Sequence, residues 1–150
     1  MQVRLPDGSV REYEGVTNGF DVASSIGPGL LRAAVAIKVN GELQDLSTPI
    51  ADEALISIVT VRDPDGLDIM RHTLTAQVLA RAVKELYPGC KLAIGPTIEH
   101  GFYYDVEFER PLGVDELPQI EAKMKQILAQ KNNIVRKMTP RAEAISLFEG

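Results

Sequence analysis

Few side chains in this chain can do chemistry near neutral pH, and they are unevenly placed. There are two histidines, His72 and His100, and one cysteine, Cys90. An imidazole can take up and return a proton near pH 7, so each histidine is a candidate general base. Cys90 has no partner for an internal disulfide and no histidine at metal-ligand spacing, so it reads as a small buried filler. Four of the eight aromatic residues, Phe102, Tyr103, Tyr104 and Phe108, fall within seven positions of one another, in and just beyond the run Gly95–Glu107. Phe102, Tyr104, Val106 and Phe108 alternate with Tyr103, Asp105, Glu107 and Glu109, the pattern of a half-buried strand with one acidic face. Gly95 and Gly101 bracket Pro96, where a turn is expected.

Two modules must position these groups. Val3–Leu5 and Val10–Tyr13 flank the hairpin signal Pro6-Asp7-Gly8-Ser9. Thr17 or Asn18 caps a short helix carrying Phe20, Val22, Ala23 and Ile26, and Gly27-Pro28-Gly29 stops it. A strand over Ala33–Val39 turns at Asn40-Gly41 into Glu42-Leu43, and a last strand covers Ala54–Val61. The order β-β-α-β-β-β describes a β-grasp over residues 1–62. Charge, Pro and Gly in Arg62–Gly66 mark a break, with residues 63–66 as linker.

A second α+β unit is expected over residues 67–150. Its long helix runs from Leu67 to Leu86, with Met70, Leu74, Val78, Leu79, Ala82, Val83 and Leu86 at helical spacing. Strands follow near Lys91–Ile94 and Gly101–Phe108, and a helix near Asp115–Gln130 has Asp115 as its cap. Another strand is expected at Ile134–Lys137, then a helix from Thr139-Pro140 that carries Ile145, Leu147 and Phe148 and stops at Gly150. The chain reads as the opening part of something longer.

Composition bounds the function classes. The chain has 150 residues, is 45% hydrophobic and 25% charged, and carries a net charge of −5. No apolar run approaches the roughly 20 residues that span a bilayer. With one cysteine and no signal-peptide pattern, a reducing, cytoplasmic setting without membrane attachment is the expectation. The acidic balance argues against general nucleic-acid affinity. Positive charge does gather toward the end, in Lys123, Lys125, Lys131, Arg136, Lys137 and Arg141, as either an RNA contact or a solvated helix face.

Three signatures coincide. Leu5-Pro6-Asp7-Gly8-Ser9, Asp21-Val22-Ala23, Ile26–Leu30 and Val39–Leu43 resemble the TGS domain. Arg71-His72 heads a helix that ends in Glu85–Gly89, and Ala93–Asp105 follows. Together these resemble the N-terminal region of bacterial threonyl-tRNA synthetase, where a TGS domain precedes an editing domain that hydrolyses serine mischarged onto threonine tRNA. The resemblance implies tRNA(Thr) as partner and a homodimer formed through domains beyond this chain. It implies no cofactor in this chain and no metal site, with ATP, Mg²⁺ and zinc belonging to the full-length enzyme. A missing methyl gives only roughly 1–3 kcal/mol of discrimination, which is why such enzymes edit.

The resemblance also assigns site residues. The family's editing cleft begins with two histidines spaced His-x-x-x-His on the long helix. Here the first is His72, position 76 is alanine, and the downstream register puts the second on Gln77. His72 and Gln77 are thus the catalytic candidates, with Thr73, Gly95, His100, Tyr104 and Asp105 as substrate-binding candidates. Residues 72 and 77 lie about 140° apart on a regular helix, so one extra residue must be absorbed, and a π-bulge is one way. An amide cannot take up a proton at neutral pH, so impaired editing is expected. His100 is either an exposed turn residue or a second imidazole for the same cleft. The alternative from another class is an RNA-binding or regulatory module, without hydrolysis, fused to a different enzyme.

Overall fold

The computed structural model describes residues 1–148, so the expected stop at Gly150 lies outside the described residues. The α+β class is as expected. Strands β1 (Gln2–Arg4), β2 (Val10–Glu12), β3 (Ala34–Val39), β4 (Glu42–Gln44) and β5 (Ala54–Thr60) form one mixed sheet in the order β2-β1-β5-β3-β4. β1 runs parallel to β5, and the other pairs are antiparallel. Helix α1 (Gly19–Ile26) lies across one face, which makes the unit a β-grasp.

Local chemistry accounts for these elements. The Asn18 side chain accepts the Phe20 and Asp21 amides, and Asp21 answers the Asn18 amide, a closed capping box. Asn40 and Gly41 both take positive φ, 51° and 89°, as the tight β3–β4 turn requires. Val3, Val22, Ile37 and Ile56 are fully buried and form the core with Leu5, Leu46, Ile50 and Ala54. Each such aliphatic contributes roughly 1.5–3 kcal/mol on burial. A short helix α2 (Pro28–Ala33) was not expected; Pro28 at its first turn starts it where Gly27 ends α1.

The expected linker is partly helical. Helix α3 (Pro64–Thr73) begins three residues earlier than Leu67, with Pro64 in its first turn. Asp63 accepts the Thr60 amide and hydroxyl at 2.7 and 2.9 Å, closing the turn that launches it. The first turn of α3 lies against the β-grasp: a Cβ on Gly66 would stand 1.8 Å from the Thr60 carbonyl oxygen. Lys38 pairs with Asp65 at 2.5 Å beside it.

From α3 the helix continues as a π-helical segment over Leu74–Leu79 and then as α4 (Ala80–Leu86). The Ala80 amide reaches back five residues to the Thr75 carbonyl, the π spacing. One flank of this long helix packs on α5 (Leu117–Ala129) through Leu74, Val78, Ala82, Met124 and Ile127. The other flank packs Leu79, Val83 and Leu86 on Val106, Phe108 and Leu112, with Cys90 and Ile120 buried among them. Cys90 is the buried filler expected.

Residues 91–107 form a bent hairpin in two short ribbons. β6 (Lys91–Leu92) pairs with β9 (Val106–Glu107), and β7 (Thr97–Ile98) with β8 (Gly101–Phe102). The expected alternation holds: Phe102, Tyr104, Val106 and Phe108 are half-buried, and Tyr103, Asp105, Glu107 and Glu109 are exposed. Two expectations are corrected. The strand is broken between Phe102 and Val106, where the Tyr104 ring lies over Gly95. The turn sits at Glu99-His100, not at Pro96, because Ile98 pairs directly with Gly101.

Two further corrections concern the end of the chain. A 3₁₀ turn over Val114–Glu116 precedes α5, and Asp115 is not its cap. Glu116 closes the turn instead by accepting the Gly113 amide at 2.9 Å. Residues 134–137 form no strand; Ile134 and Val135 are exposed and no edge pairs with them among the described residues. Helix α6 (Arg141–Phe148) follows and buries none of its residues.

Candidate functional site

The candidate cleft lies between the α3–π–α4 helix and the 91–107 hairpin. Arg71 and Thr75, four residues apart, mark the helix line that meets the hairpin. The Arg71 guanidinium donates to the Ile98 and Glu99 carbonyls at 3.5 and 3.0 Å, holding the hairpin tip. Thr75 is fully buried, and its hydroxyl donates to the Arg71 carbonyl at 2.7 Å. Its methyl meets Gly95: a Cβ there would stand 2.7 Å from Thr75 Cγ2 and 2.2 Å from Tyr104 Cδ2.

Gly95 is therefore neither a turn glycine nor, as placed, a backbone bared to a ligand. It lets helix and hairpin close on each other with the Tyr104 ring between. Below it, Leu79, Ala80, Val83, Tyr104, Val106, Phe108 and Leu112 line an apolar hollow of about 190 Å³. A second hollow of about 350 Å³ opens beside Tyr87, Cys90, Phe108 and Arg110. Neither takes in a histidine.

The candidate catalytic residues are placed as follows. His72, Ala76 and Gln77 are all exposed, and Thr73 is half-buried. The π segment over Leu74–Leu79 is one way the extra residue could be absorbed, and His72 remains exposed with it. No hydrogen bond joins His72 or Gln77 to Tyr104 or Asp105 among the described residues. The Asp105 side chain is exposed, while its backbone carries the hairpin: its amide donates to the Ile94 carbonyl at 2.8 Å and its carbonyl accepts the Ala93 amide at 3.0 Å. His100 sits at the hairpin tip with its side chain 87% exposed, 3.7 Å from Glu99. That is the exposed-turn placement. No three His, Cys, Asp or Glu side chains gather to hold a metal ion among the described residues.

Sequence reasoning missed Thr75. A lone polar residue on the apolar stripe, four after Arg71, was the available signal. It also missed the buttress under the second hollow. Glu116 accepts two bonds from Arg110 at 2.7 and 2.8 Å, the Gly113 amide, and the Tyr87 hydroxyl at 3.2 Å. The Arg110 bonds, then the Gly113 amide, hold the Glu116 carboxyl at a pKa of about 2. Burial, with Glu116 beside it, pushes the Tyr87 hydroxyl up.

A β-grasp leading directly into a helix and hairpin defines the class, and the TGS domain model matches residues 1–60. Over almost its whole length the chain is similar to the N-terminal region of bacterial threonine–tRNA ligase. It is 48% identical to that of Psychrobacter cryohalolentis over 149 residues, and 48% identical over 148 residues to those of Paracidovorax citrulli and Burkholderia multivorans. Each match covers 99% of this chain, which spans 23% of the length of those relatives. No helix of the described residues is long and apolar enough to cross a membrane.

Proposed function

We propose that this chain is the TGS and editing-type region of a cytoplasmic threonine–tRNA ligase, one whose clearing of seryl-tRNA(Thr) is impaired. The collinear 48% identity over 99% of the chain supports the ligase reading. In that reading the full-length protein charges tRNA(Thr) with threonine, and works as a homodimer. ATP, Mg²⁺ and zinc serve it through parts outside this chain.

One observation carries the impairment: the helix line that meets Gly95 and Tyr104 offers a buried threonine, while His72 is exposed and its expected partner is an amide. A positioned general base contributes typically 10²–10⁴-fold, so its absence is a large loss. In that reading the cleft between helix and hairpin lacks a positioned proton acceptor. The ligase reading is tested by incubating the full-length protein with threonine, ATP and tRNA(Thr). Accumulation of threonyl-tRNA(Thr) is expected, and failure to charge overturns it in favour of a non-catalytic RNA-binding module.

A further inference from the structure

From Lys131 to Ala142 the chain carries Lys131, Arg136, Lys137 and Arg141 and no acidic residue. This stretch holds +4 in a chain of net −5, which leaves −9 on the rest. The structure removes the simplest explanation, a solvated helix face. Residues 131–140 lie between α5 and α6 in neither helix nor strand, and all but half-buried Thr139 are exposed. Of these four cations only Lys137 has an acidic partner among the described residues, Glu143 at 3.2 Å, and both of those side chains are largely exposed. An exposed pair of that kind is worth little, so Lys137 is available as well.

We propose that residues 131–141 are a contact surface for the phosphodiester backbone of RNA, which in this chain is tRNA. Four cations within eleven residues, with Glu143 the one acidic side chain paired to them among the described residues, make a local positive field for a polyanion. The two arginines present planar forks suited to phosphate oxygens, and the lysines add mobile point charges. Such contacts fix where the nucleic acid lies and read no sequence. Nothing in the core depends on these side chains, so they can be replaced without unfolding the chain.

The identity of the RNA rests on the ligase reading, and the test separates the two. Fluorescein-labelled tRNA(Thr) and an unrelated stem-loop RNA are titrated with this chain by anisotropy between 50 and 300 mM NaCl. The comparison is the quadruple variant Lys131→Ala, Arg136→Ala, Lys137→Ala, Arg141→Ala. Each phosphate contact adds roughly 0.7–0.9 to the slope of log K against log salt, so the variant should lose about 3 from that slope and bind at least about tenfold more weakly at 50 mM. Equal slopes for chain and variant overturn the proposal and leave the ligase reading standing. A lost slope, with no charging of tRNA(Thr) by the full-length protein, upholds the contact and overturns the ligase reading instead. Ile134, Val135 and Met138, also exposed on this strap, give the second control. Their replacement by serine should leave RNA binding unchanged, and loss of binding there with the cations intact overturns the proposal in favour of an apolar seat.

Discussion

Replacing Gly95 with alanine puts one methyl group where helix and hairpin touch. The new Cβ would stand 2.2 Å from Cδ2 and 2.6 Å from Cε2 of Tyr104, and 2.7 Å from Cγ2 of Thr75. Carbon atoms in contact prefer about 3.5–4.0 Å, so both sides are about 1 Å or more too close. Thr75 cannot yield: it is fully buried and its hydroxyl is tied to the Arg71 carbonyl. The half-buried Tyr104 ring must therefore move, and the hairpin moves with it. Overpacking of this kind costs roughly 1–3 kcal/mol, about a 5- to 150-fold rise in hairpin opening. Native-state hydrogen exchange reads that directly at the Asp105 amide, which donates to Ile94, and the Ala93 amide, which donates to Asp105. Both should exchange faster by that factor. The Tyr13 amide, bonded to Met1 in the β-grasp, should stay within about twofold of its original rate. A change below about twofold at Asp105 would refute the reasoning, since the contact would then be carrying no weight. Equal acceleration at Tyr13 would refute the separation of the two cores.

Three other perturbations probe the frame. Gly66→Ala forces a Cβ against the Thr60 backbone, which cannot rotate away, so the cost should reach the top of the ~1–3 kcal/mol overpacking range; an unchanged urea midpoint contradicts the seating of α3 on the sheet. Arg71→Ala removes the grip on the Ile98 and Glu99 carbonyls, and exchange at the Tyr103 amide, which donates to the Pro96 carbonyl, should rise about fivefold, matching roughly 1 kcal/mol; an unaltered rate shows the grip is idle. Glu116 has its carboxyl lowered from 4.5 to about 2, so its stabilising effect is full above pH 4.5 and fades as the pH falls toward 2. Glu116→Gln should therefore be less stable than the parent at pH 7 and converge with it near pH 2; parallel curves across that window rule the Arg110–Glu116–Tyr87 buttress out.

Much of the β-grasp was legible because its signals are local. Asn40-Gly41 supplies the positive φ that its turn needs, and Asn18 supplies the cap of α1. The π segment was open as one possibility, from the resemblance rather than from propensity: the segment after His72 reads one residue longer than the family's, and a π turn is one way to absorb it. What failed to show depends on distant partners. Gly95-Pro96 reads as a turn, yet Gly95 is needed because Thr75 and Tyr104 crowd it from elsewhere. Gly66 reads as a linker residue, and only the Thr60 carbonyl beside it explains why it is glycine inside a helix. Ile134–Lys137 reads as a strand, but a strand needs an edge to pair with, and none pairs with it among the described residues. For the site, the resemblance supplied the expectation of a second imidazole, and the sequence has Ala76 and Gln77 there. The exposure of His72 and the burial of Thr75 required the packed helix.

The central claim is that the cleft keeps its walls while His72 performs no proton transfer in it. Single-turnover deacylation of seryl-tRNA(Thr), by the full-length protein and by its His72→Ala variant, tests this most directly. The two should clear serine at the same slow rate, within about twofold, across pH 6–8. A fast parental rate that falls by about 10²-fold or more in the variant would contradict it, because a loss of that size is what removing a working general base costs.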